Sequence, residues 1–367
     1  MSKQSHIERT ANEPREATLH TLTIAHIDQV SPTIRVIRLA IPPNDNITFL
    51  PGQWVDLHPP PEAQVPKAGG FTITSSPTLA LHNPNPNAPS TTTPNKPTPP
   101  PTTTEPPYLE LAIQSSPNSP PAAYLSQPIP QLLHTPVQVR IGGRFVFPPP
   151  TLFPLPPPTA PTTSTTTNDT TAPVRRLVLV AGGMGINPLV SMLSHIAEQG
   201  GDDDDGPQAG IGVEVEEVRV LYSVKEPEPE PEPGNSTGGA ILFLERMAGL
   251  FGSGRVRGGV RVFLTGGGGR GGVGSAVGDA VTAGGGGGVG DGPGGLGVEG
   301  GDERFGVPCV RRRMTVGDVE EAVGEEKEAA VVYVCGVPGM TDEFVEALVA
   351  QEGFGMDPRR VLFEKWW

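Results

Sequence analysis

The hydrophobic and polar positions of this chain follow two different patterns, one before residue 147 and one after residue 174. In the first part, residues 19–40 alternate apolar and polar, most clearly in TIRVIRLA (33–40). Such alternation is typical of half-buried β-strands. Four shorter stretches are strand-like as well: 53–57, 71–74, 108–113 and 137–141. Several short strands with turn signals between them predict a small antiparallel barrel of Greek-key type.

In the second part, continuous apolar runs alternate with stretches of helical spacing. Arg176–Ala181 (RLVLVA) has the composition of a strand covered on both faces, and Pro188–Gln199 follows with apolar residues on one helical face. Further strands are predicted at 218–224, 260–264, 330–334 and 361–367, and further helices at 240–250, 315–323 and 341–351. This alternation predicts a doubly wound α/β domain, a parallel sheet with helices on both faces.

Proline, threonine and glycine are concentrated in segments that interrupt these patterns. Such segments bury too little apolar surface to offset the entropy of ordering them, which predicts disorder. A scaffold function of the proline-rich segments is the alternative. The predicted organisation is a disordered N-terminus (1–18), a barrel (19–147, with an insert at 83–107), a linker (148–173) and an α/β domain (174–367, with an insert at 265–301).

Charge and cysteine content narrow the function. A net charge of −14 argues against a nucleic-acid-binding surface. Two cysteines, Cys309 and Cys335, supply neither a disulfide framework nor the four thiolates of an iron–sulfur cluster, which favours a reducing, intracellular compartment. No apolar stretch approaches the roughly 20 residues of a membrane span. The seven histidines show no metal-ligand spacing, so no metal site is predicted.

A glycine turn joins the first strand of the predicted α/β domain to its first helix. Gly183-Met-Gly185-Ile-Asn187-Pro188 has the form G-x-G-x-x-P. Glycines let backbone N–H groups approach a ligand, and these groups together with the helix dipole favour a diphosphate. Asn187 is expected to cap the helix and Pro188 to be its first residue. A tight turn without a ligand is the alternative.

A second turn of this kind, CGVPGMTD (335–342), leaves the strand 330–334 and enters a helix. Ligands of open parallel sheets bind beyond the carboxyl ends of the strands, so we expect both turns to line one cleft. Cys335 would then face that cleft. Its alternative role is that of a small buried apolar residue.

These turns occur with further motifs, in an order that resembles the ferredoxin–NADP reductase superfamily. That superfamily joins a flavin-binding antiparallel barrel, the FAD-binding FR-type domain, to an α/β domain that binds a pyridine nucleotide. The barrel motif and the FEKWW ending point to one subgroup. The motifs are PGQWVD (51–56), GGFTITSSP (69–77), NSPPAAYL (118–125), IGGRFVF (141–147), AGGMGINPLVSML (181–193), LYSVK (221–225), CGVPGMTD (335–342) and FEKWW (363–367).

The resemblance implies two cofactors, FAD and NAD(P)H, each with its own residues. FAD would contact one strand and one turn of the barrel: Phe71, Thr72, Ile73, Thr74, Pro121, Ala122 and Ala123. A terminal aromatic residue, Trp366 or Trp367, would cover the flavin ring, and simple packing is the alternative for these side chains. NAD(P)H would contact the two glycine turns: Gly182, Gly183, Gly185, Ile186 and Pro188 at its diphosphate, and Cys335, Gly336, Pro338 and Met340 at its nicotinamide. Cys335 is the single catalytic candidate, as the side chain beside the reacting carbons.

The chain departs from the superfamily's flavin motifs at three positions. Gly69 stands in place of Arg, Phe71 in place of Tyr, and Ala122 in place of Ser or Thr. A lost charge-assisted hydrogen bond to the flavin phosphate would cost about 1.5–3 kcal/mol. Two hypotheses therefore follow. The first is a flavin-dependent NAD(P)H oxidoreductase that passes electrons to a separate, unidentified acceptor. The second is an NAD(H)-responsive binding or assembly module without flavin turnover.

The sequence also contains some evidence on the preferred nucleotide and on the cellular compartment. Lys225 ends the second strand of the α/β domain, and four glutamates follow within 226–232. Their charge would repel a 2′-phosphate, which favours NAD over NADP. The resemblance implies a mitochondrial location. Glu8, Glu13 and Glu16 make the N-terminus a poor transit peptide, which keeps the cytoplasm as the alternative. The sequence contains no motif that indicates the oligomeric state or the electron acceptor.

Overall fold

The computed structural model of this chain describes residues 6–81, 106–153, 173–199, 215–227, 240–266, 302–304 and 306–366. The predicted inserts and linker lie mostly outside the described residues. Each described segment belongs to one of two folded halves.

The first half is a barrel of six antiparallel strands. Their order in the sheet is β4-β3-β6-β1-β2-β5, and a bridge between Ile73 and Leu111 joins the end of β4 to β5. Alternate residues point inward and form one apolar core, as period-2 patterning requires. The elements are α1 (His6–Arg9), β1 (His20–Ser31), β2 (Ile34–Ala40), β3 (Trp54–His58), β4 (Gly69–Thr72), β5 (Tyr108–Gln114), α2 (Pro120–Tyr124), α3 (Ile129–Leu132) and β6 (Pro136–Gly142).

The second half is a seven-stranded sheet of order β10-β11-β9-β8-β7-β12-β13, with helices on both faces. All neighbouring strands are parallel except β10 and β11. The elements are β7 (Arg176–Gly182), α4 (Ile186–Gln199), β8 (Glu217–Lys225), α5 (Leu244–Gly252), β9 (Gly258–Thr265), β10 (Asp302–Arg304), β11 (Val307–Val310), α6 (Val316–Val323), β12 (Ala330–Gly336), α7 (Pro338–Val349) and β13 (Val361–Lys365).

The sheet of the second half is buried on both faces. Successive residues of β12 belong to different cores: Val331, Tyr333 and Cys335 to the core on the barrel side, and Val332 and Val334 to the other. This explains the unbroken apolar runs in the sequence. The predicted fold class, an antiparallel barrel followed by a doubly wound parallel α/β domain, is confirmed.

The N-terminal segment differs from its predicted disorder. Residues 6–18 are described, and several of them pack on the outside of the barrel. Arg15 pairs with Gly142 of β6, and His6 and Arg15 both contact Trp54. The prediction was wrong for these residues because a buried carboxylate 41 positions away, Asp56, holds Arg15 in place.

The structure also adds one element that was not predicted and corrects two predicted boundaries. The edge hairpin β10–β11 was not expected, because each strand is very short. Strand β4 runs from 69 to 72, two residues earlier than predicted at each end. The helix predicted from residue 240 begins at Leu244. The last two are errors of boundary, which local composition determines poorly.

The two halves pack together through polar contacts as well as an apolar core. Ser191 of α4 donates to the carbonyl of Ser75 (2.7 Å), and the Tyr333 hydroxyl donates to the carbonyl of Val146 (2.7 Å). Phe145 and Phe147 from the barrel side join the core of the α/β half. Among the described residues, no helix has the length and apolarity needed to cross a bilayer.

Candidate functional site

The strand order of the α/β half reverses between β7 and β12. The chain adds β8 and β9 on one side of β7, and later β12 and β13 on the other. In open parallel sheets, such a switch point forms a crevice at the carboxyl ends of the strands, where ligands bind. The two glycine turns predicted from the sequence follow β7 and β12 directly. The structure therefore brings them together at the switch point.

Three glycines allow the two turns to touch. A Cβ atom on Gly185 would lie 2.0 Å from the carbonyl oxygen of Cys335, and one on Gly336 would lie 3.3 Å from the Cα of Gly182. The Met340 side chain packs over the same pair, because a Cβ on Gly182 would lie 2.9 Å from its sulfur. A larger residue at these positions would push the turns apart.

Gly183 is different, because it faces open space. Its φ is +56°, a left-handed conformation that favours glycine, and no described atom lies within 4 Å of where its Cβ would be. Directly after this turn α4 begins; the Ile186 N–H donates to the carbonyls of Gly183 and Met184, and Pro188 has no N–H, so the open backbone of this site is that of Gly183. Exposed backbone and a helix N-terminus are thus placed side by side in the crevice.

The remaining residues predicted at the diphosphate are buried. Ile186 and Pro188 lie in the first turn of α4 with their side chains out of contact with solvent. The expectation that Asn187 caps this helix was wrong. Asn187 lies inside the helix and donates from Nδ2 to the Ala112 carbonyl of the barrel (3.1 Å), because the helix begins one residue before it. Its position joins the two halves of the chain.

Cys335 is completely buried, in contrast with the expectation that it faces the cleft. Its side chain belongs to the core on the barrel side of the sheet. Burial, together with the nearby Glu364, raises the pKa of the thiol well above its ordinary value. A buried, protonated thiol is unreactive, so the catalytic assignment of Cys335 stays a prediction that this placement does not support.

Beside Cys335 lies the end of the last strand. The Trp366 backbone N–H donates to the carbonyl of Gly336 (2.8 Å), and its indole packs against the core. Burial, together with the charge of Glu13, raises the pKa of Glu364 to about 8. Trp367 lies outside the described residues. Pro338 is the first residue of α7 and is half-buried.

The strand that carries the predicted flavin motif has both faces covered. Phe71 and Ile73 point into the barrel core. Thr72 lies opposite Trp54 on the outer face, where the His6 ring and the Arg15 guanidinium cover the indole. Neither face of β4 is open to a planar ligand.

The end of the flavin motif takes part in the contact between the halves. The Thr74 hydroxyl donates to Glu110 (2.9 Å), and Arg246 of α5 binds the same carboxylate (2.8 Å). Ser76 donates to Glu198 of α4 (2.5 Å). These side chains are therefore occupied by protein contacts.

The residues predicted at the flavin phosphates offer few donors. Helix α2 begins with Pro120 and Pro121, which have no N–H group, and Ala122 has no hydroxyl. Ala123 is exposed, but its N–H donates to the carbonyl of Ser119 (2.9 Å). A side chain at Gly69 would begin 2.7 Å from both the Phe71 ring and Pro121. With the covered faces of β4, these features mean that the residues present do not fit a resident flavin.

A basic pocket of about 350 Å³ lies at the carboxyl ends of β8 and β9. Arg311, Arg312 and Arg313 line it together with Glu226. Glu226 accepts from Arg311 (3.1 Å), so its charge is already balanced. The sequence analysis missed this pocket, although three consecutive arginines were a visible signal. In the described part of the chain, no group of three or more potential ligands is arranged to hold a metal ion.

Comparison with known proteins gives relatives for about half of the chain. It is 36% identical over 194 residues to Oxidoreductase NAD-binding domain-containing protein 1 of Xenopus laevis, covering 53% of this chain and 46% of the relative. The protein of that name from Homo sapiens is 31% identical over 196 residues, covering 53% and 47%. The chain thus spans about half the length of the curated relatives it matches. No family model matches the chain.

Solved structures share the fold across both halves. A ferredoxin NADP⁺ reductase from Neisseria gonorrhoeae with bound FAD and NADP has a TM-score of 0.51 at 13% identity, covering 96% of this chain and 100% of that one. The CS-b5R domains of human Ncb5or in the NAD⁺ form give 0.52 at 14% identity, covering 94% and 69%. At such low identities the likeness shows the fold alone.

Sequence relatives and fold agree with the motifs. The relatives carry the name of an oxidoreductase with an NAD-binding domain, one structural neighbour is a reductase with bound FAD and NADP, and the other is in an NAD⁺ form. The predicted resemblance is therefore confirmed: the chain is a homologue of Oxidoreductase NAD-binding domain-containing protein 1 with the two-domain fold of ferredoxin–NADP reductases.

Proposed function

We propose that this chain binds NAD(P)H in the crevice between β7 and β12 and acts as an oxidoreductase. The observation that carries the proposal is the open backbone at Gly183, placed at the switch point and at the start of α4. A diphosphate is stabilised by such N–H groups and by the positive end of the helix dipole. The names of the relatives agree with this function.

The residues of the two turns have separate tasks in this proposal. Gly183 and the first turn of α4 hold the diphosphate. Gly182, Gly185 and Gly336 keep the turns in contact, and Met340 packs beside them where the nicotinamide would lie. The nucleotide supplies a hydride when it is bound. The protein orients the nicotinamide toward the acceptor, and this orientation is the larger part of its contribution to such chemistry.

A more specific version of this hypothesis adds a flavin: the hydride passes from the nicotinamide to the flavin, and the electrons then pass to a separate acceptor. The fold of the relatives supports it. The covered faces of β4 and the two prolines of α2 count against a resident flavin in this chain. We therefore propose an oxidoreductase whose electron acceptor is unidentified. The proposal does not include a permanently bound flavin.

The second candidate function is an NAD(H)-responsive binding or assembly module. The burial of Cys335 and the coverage of Thr72 favour it, because both remove groups that a flavin reductase would present to its cofactors. A fold of this kind does not guarantee turnover. Oxidation of NADH or NADPH by a range of electron acceptors distinguishes the two functions, since a binding module would turn over neither nucleotide.

Nucleotide binding is tested at Gly183, where a side chain has room. We expect Gly183→Asp to weaken NADH binding at least tenfold relative to Gly183→Asn, measured by titration calorimetry. The two variants match in size and in backbone conformation, and Asn and Asp tolerate the left-handed region best among non-glycine residues. Only the charge differs, and it would repel a diphosphate. Equal affinities in the two variants would contradict the proposed site.

The choice between NAD and NADP is tested at the basic pocket. The carboxylates after β8 favour NAD, whereas the arginines at 311–313 favour the 2′-phosphate. Arg311 neutralises Glu226, so the carboxylates alone do not decide the preference. The affinities for NADH and NADPH are therefore measured side by side. Arg313→Ala is expected to weaken NADPH binding more than NADH binding if the pocket holds the 2′-phosphate. An equal effect on both would leave NAD as the proposed substrate.

A further inference from the structure

The basic pocket at the carboxyl ends of β8 and β9 lies level with the first glycine turn. In the strand register, Gly182 is opposite Ser223 of β8, and Ser223 is opposite Phe263 of β9. The next residue, Gly183, is therefore level with Leu264, which lines the pocket. Neighbouring strands lie about 4.8 Å apart, so the end of β9 is about 10 Å from the end of β7. An adenosine group is long enough to span this distance.

The charge of the pocket is opposite to the charge of the whole chain. The protein has a net charge of −14, whereas three arginines and one carboxylate, Glu226, line the pocket and give its lining a net charge of +2. Arg313 is exposed and forms no ion pair with the residues that the structure describes. A phosphate monoester carries a charge of about −1.5 to −2 at pH 7. The pocket therefore matches a phosphate monoester in both sign and magnitude of charge.

The turn that carries the three arginines is anchored to the sheet and to α6. The Arg312 guanidinium donates to both oxygens of Asp318 (2.6 and 2.7 Å) and lies 5.2 Å from the centre of the Phe263 ring. Asp318 is itself fixed, because it accepts from the N–H of Thr315 (2.8 Å) at the start of α6. An anion that binds at an anchored turn loses less affinity to the ordering of side chains.

Arg311 is able to exchange its protein partner for a phosphate. It donates to Glu226 (3.1 Å), and 55% of its side chain is exposed. An ion pair as exposed as this one contributes little to stability. Guanidinium groups bind phosphate oxygens with two parallel hydrogen bonds, and a phosphate has oxygens for more than one arginine. Glu226 is therefore a competitor for Arg311 that a bound phosphate would displace.

The pocket is also larger than a phosphate group. Its volume is about 350 Å³, and small-molecule sites have volumes of about 300–1,000 Å³. Beside the arginines it is lined by the uncharged residues Leu264, Thr265 and Gly266. These dimensions suit a phosphate that is attached to a sugar, and an isolated phosphate would leave most of the volume empty.

We propose that the basic pocket binds the 2′-phosphate of NADPH and that NADPH is the preferred nucleotide of this chain. This inference rests on the nucleotide site proposed at Gly183. The diphosphate then lies at the end of β7, the adenosine group crosses the end of β8, and Arg311 and Arg313 bind the 2′-phosphate at the end of β9. The preference is opposite to the one that the carboxylates after β8 indicate, because Glu226 is paired with an arginine and does not repel the ligand.

The test titrates NADPH and NADH into the full chain by calorimetry at low salt. We expect NADPH to bind at least about tenfold more tightly than NADH, since each charge-assisted hydrogen bond to the 2′-phosphate strengthens its binding. Arg311→Ala/Arg313→Ala should reduce this ratio to about one. Arg257→Ala is the matched control and should leave the ratio unchanged. It also removes an exposed arginine, but Arg257 precedes β9 and lies at the opposite end of that strand.

A second variant gives a gain of affinity, which a loss of folding cannot produce. Glu226→Gln removes the competitor for Arg311 and nearly keeps the size of the side chain. We expect it to strengthen NADPH binding about threefold and to leave NADH binding unchanged. Adenosine 2′,5′-bisphosphate and 5′-AMP, titrated into the same variants, repeat the comparison without the nicotinamide.

Three results would overturn the inference. The first is a ratio of NADPH to NADH affinity near one in the intact chain, and the second is a ratio that the double arginine variant leaves unchanged. The third is binding of adenosine 2′,5′-bisphosphate that the arginine variant weakens and Gly183→Asp does not, because the pocket would then take a free phosphate monoester. Failure of the nucleotide site itself is distinguished by equal NADH affinities of Gly183→Asp and Gly183→Asn.

Discussion

Two glycine-containing regions of this molecule look alike in sequence and differ in what they contact. At the switch point of the α/β half, Gly183 faces open space. On the outer face of the barrel, Gly70 and Gly142 make room for side chains of the same chain, His6 and Trp54. A glycine motif thus shows where something approaches the backbone closely, and only the surroundings show whether it is a ligand or a protein side chain.

The two halves of the molecule differ in how well they match the family resemblance. The α/β half has the features that a dinucleotide needs: two touching turns, an exposed backbone and a helix N-terminus. The barrel half has the strand order and the core, but the strand predicted to contact flavin is covered and the turn predicted at the flavin phosphates begins with prolines. Conservation of a fold therefore does not require that every binding site in it is retained.

The largest expected effect is a pH dependence at Glu364, which lies between the two regions. Its folded pKa of about 8 exceeds the ordinary value of 4.5. The folded state then binds more protons, so the contribution of this group to stability is greatest below pH 4.5 and falls as the pH rises toward 8, by up to about 4 kcal/mol. Glu364→Gln should remove this slope. Urea unfolding at pH 5 and pH 8.5 measures it, and an unchanged slope would contradict the burial of this carboxyl group.

The next effect is steric and tests the contact between the turns. Gly185→Ala would place a Cβ 2.0 Å from the Cys335 carbonyl oxygen, and both are backbone positions that cannot move apart cheaply. We expect a loss of about 3 kcal/mol of stability. Gly183→Ala has room for its Cβ and should lose only about 1 kcal/mol, from its left-handed backbone. Equal losses in thermal or urea unfolding would show that the turns do not touch.

A smaller effect is expected at Asp56, which binds His6 and Arg15 of the N-terminal segment. Burial raises the pKa of this carboxyl, but hydrogen bonds from His6, Arg140 and Arg15 outweigh it and lower the pKa to about 2. The resulting stability is present above pH 3.8, is lost as the pH falls toward 2, and amounts to about 2 kcal/mol. Asp56→Asn should cost this amount at pH 7 and almost nothing at pH 2. A loss that is independent of pH would contradict the charge pairing.

The smallest effect tests the close approach of His6 to β4. Gly70→Ala would collide with the His6 ring, a flexible side chain that can move away. We expect a loss of about 1 kcal/mol in the intact chain and almost none when His6 is already alanine. A double-mutant cycle measured by urea unfolding gives the coupling. Additive losses would mean that His6 does not lie on Gly70.

The sequence predicted the fold and the meeting of the two turns because both depend on local patterns. Alternating residues such as those of 33–40 indicate a barrel strand, and the unbroken run of 176–181 indicates a strand buried on both faces. Parallel strands put their carboxyl ends at one edge. The topology therefore brings Gly185 and Cys335 together without any information about side chains.

The ordered N-terminal segment and the role of Asn187 were not predictable in the same way. The N-terminal residues have the polar composition of a disordered segment, and their order depends on Asp56, a partner distant in sequence. Asn187 likewise serves the contact between the halves and does not cap its helix. Long-range contacts decided both of these cases. The burial of Cys335, by contrast, matches the alternative stated from the sequence, a small buried apolar residue.

The central claim is that the nucleotide crevice is open while the flavin face is covered by the chain itself. The most direct test incubates the intact chain with FAD, removes free flavin by gel filtration, and records the visible spectrum before and after NADH, with NADH binding followed by calorimetry on the same sample. The account predicts NADH binding without a retained flavin band. A retained flavin that bleaches when NADH is added would contradict it.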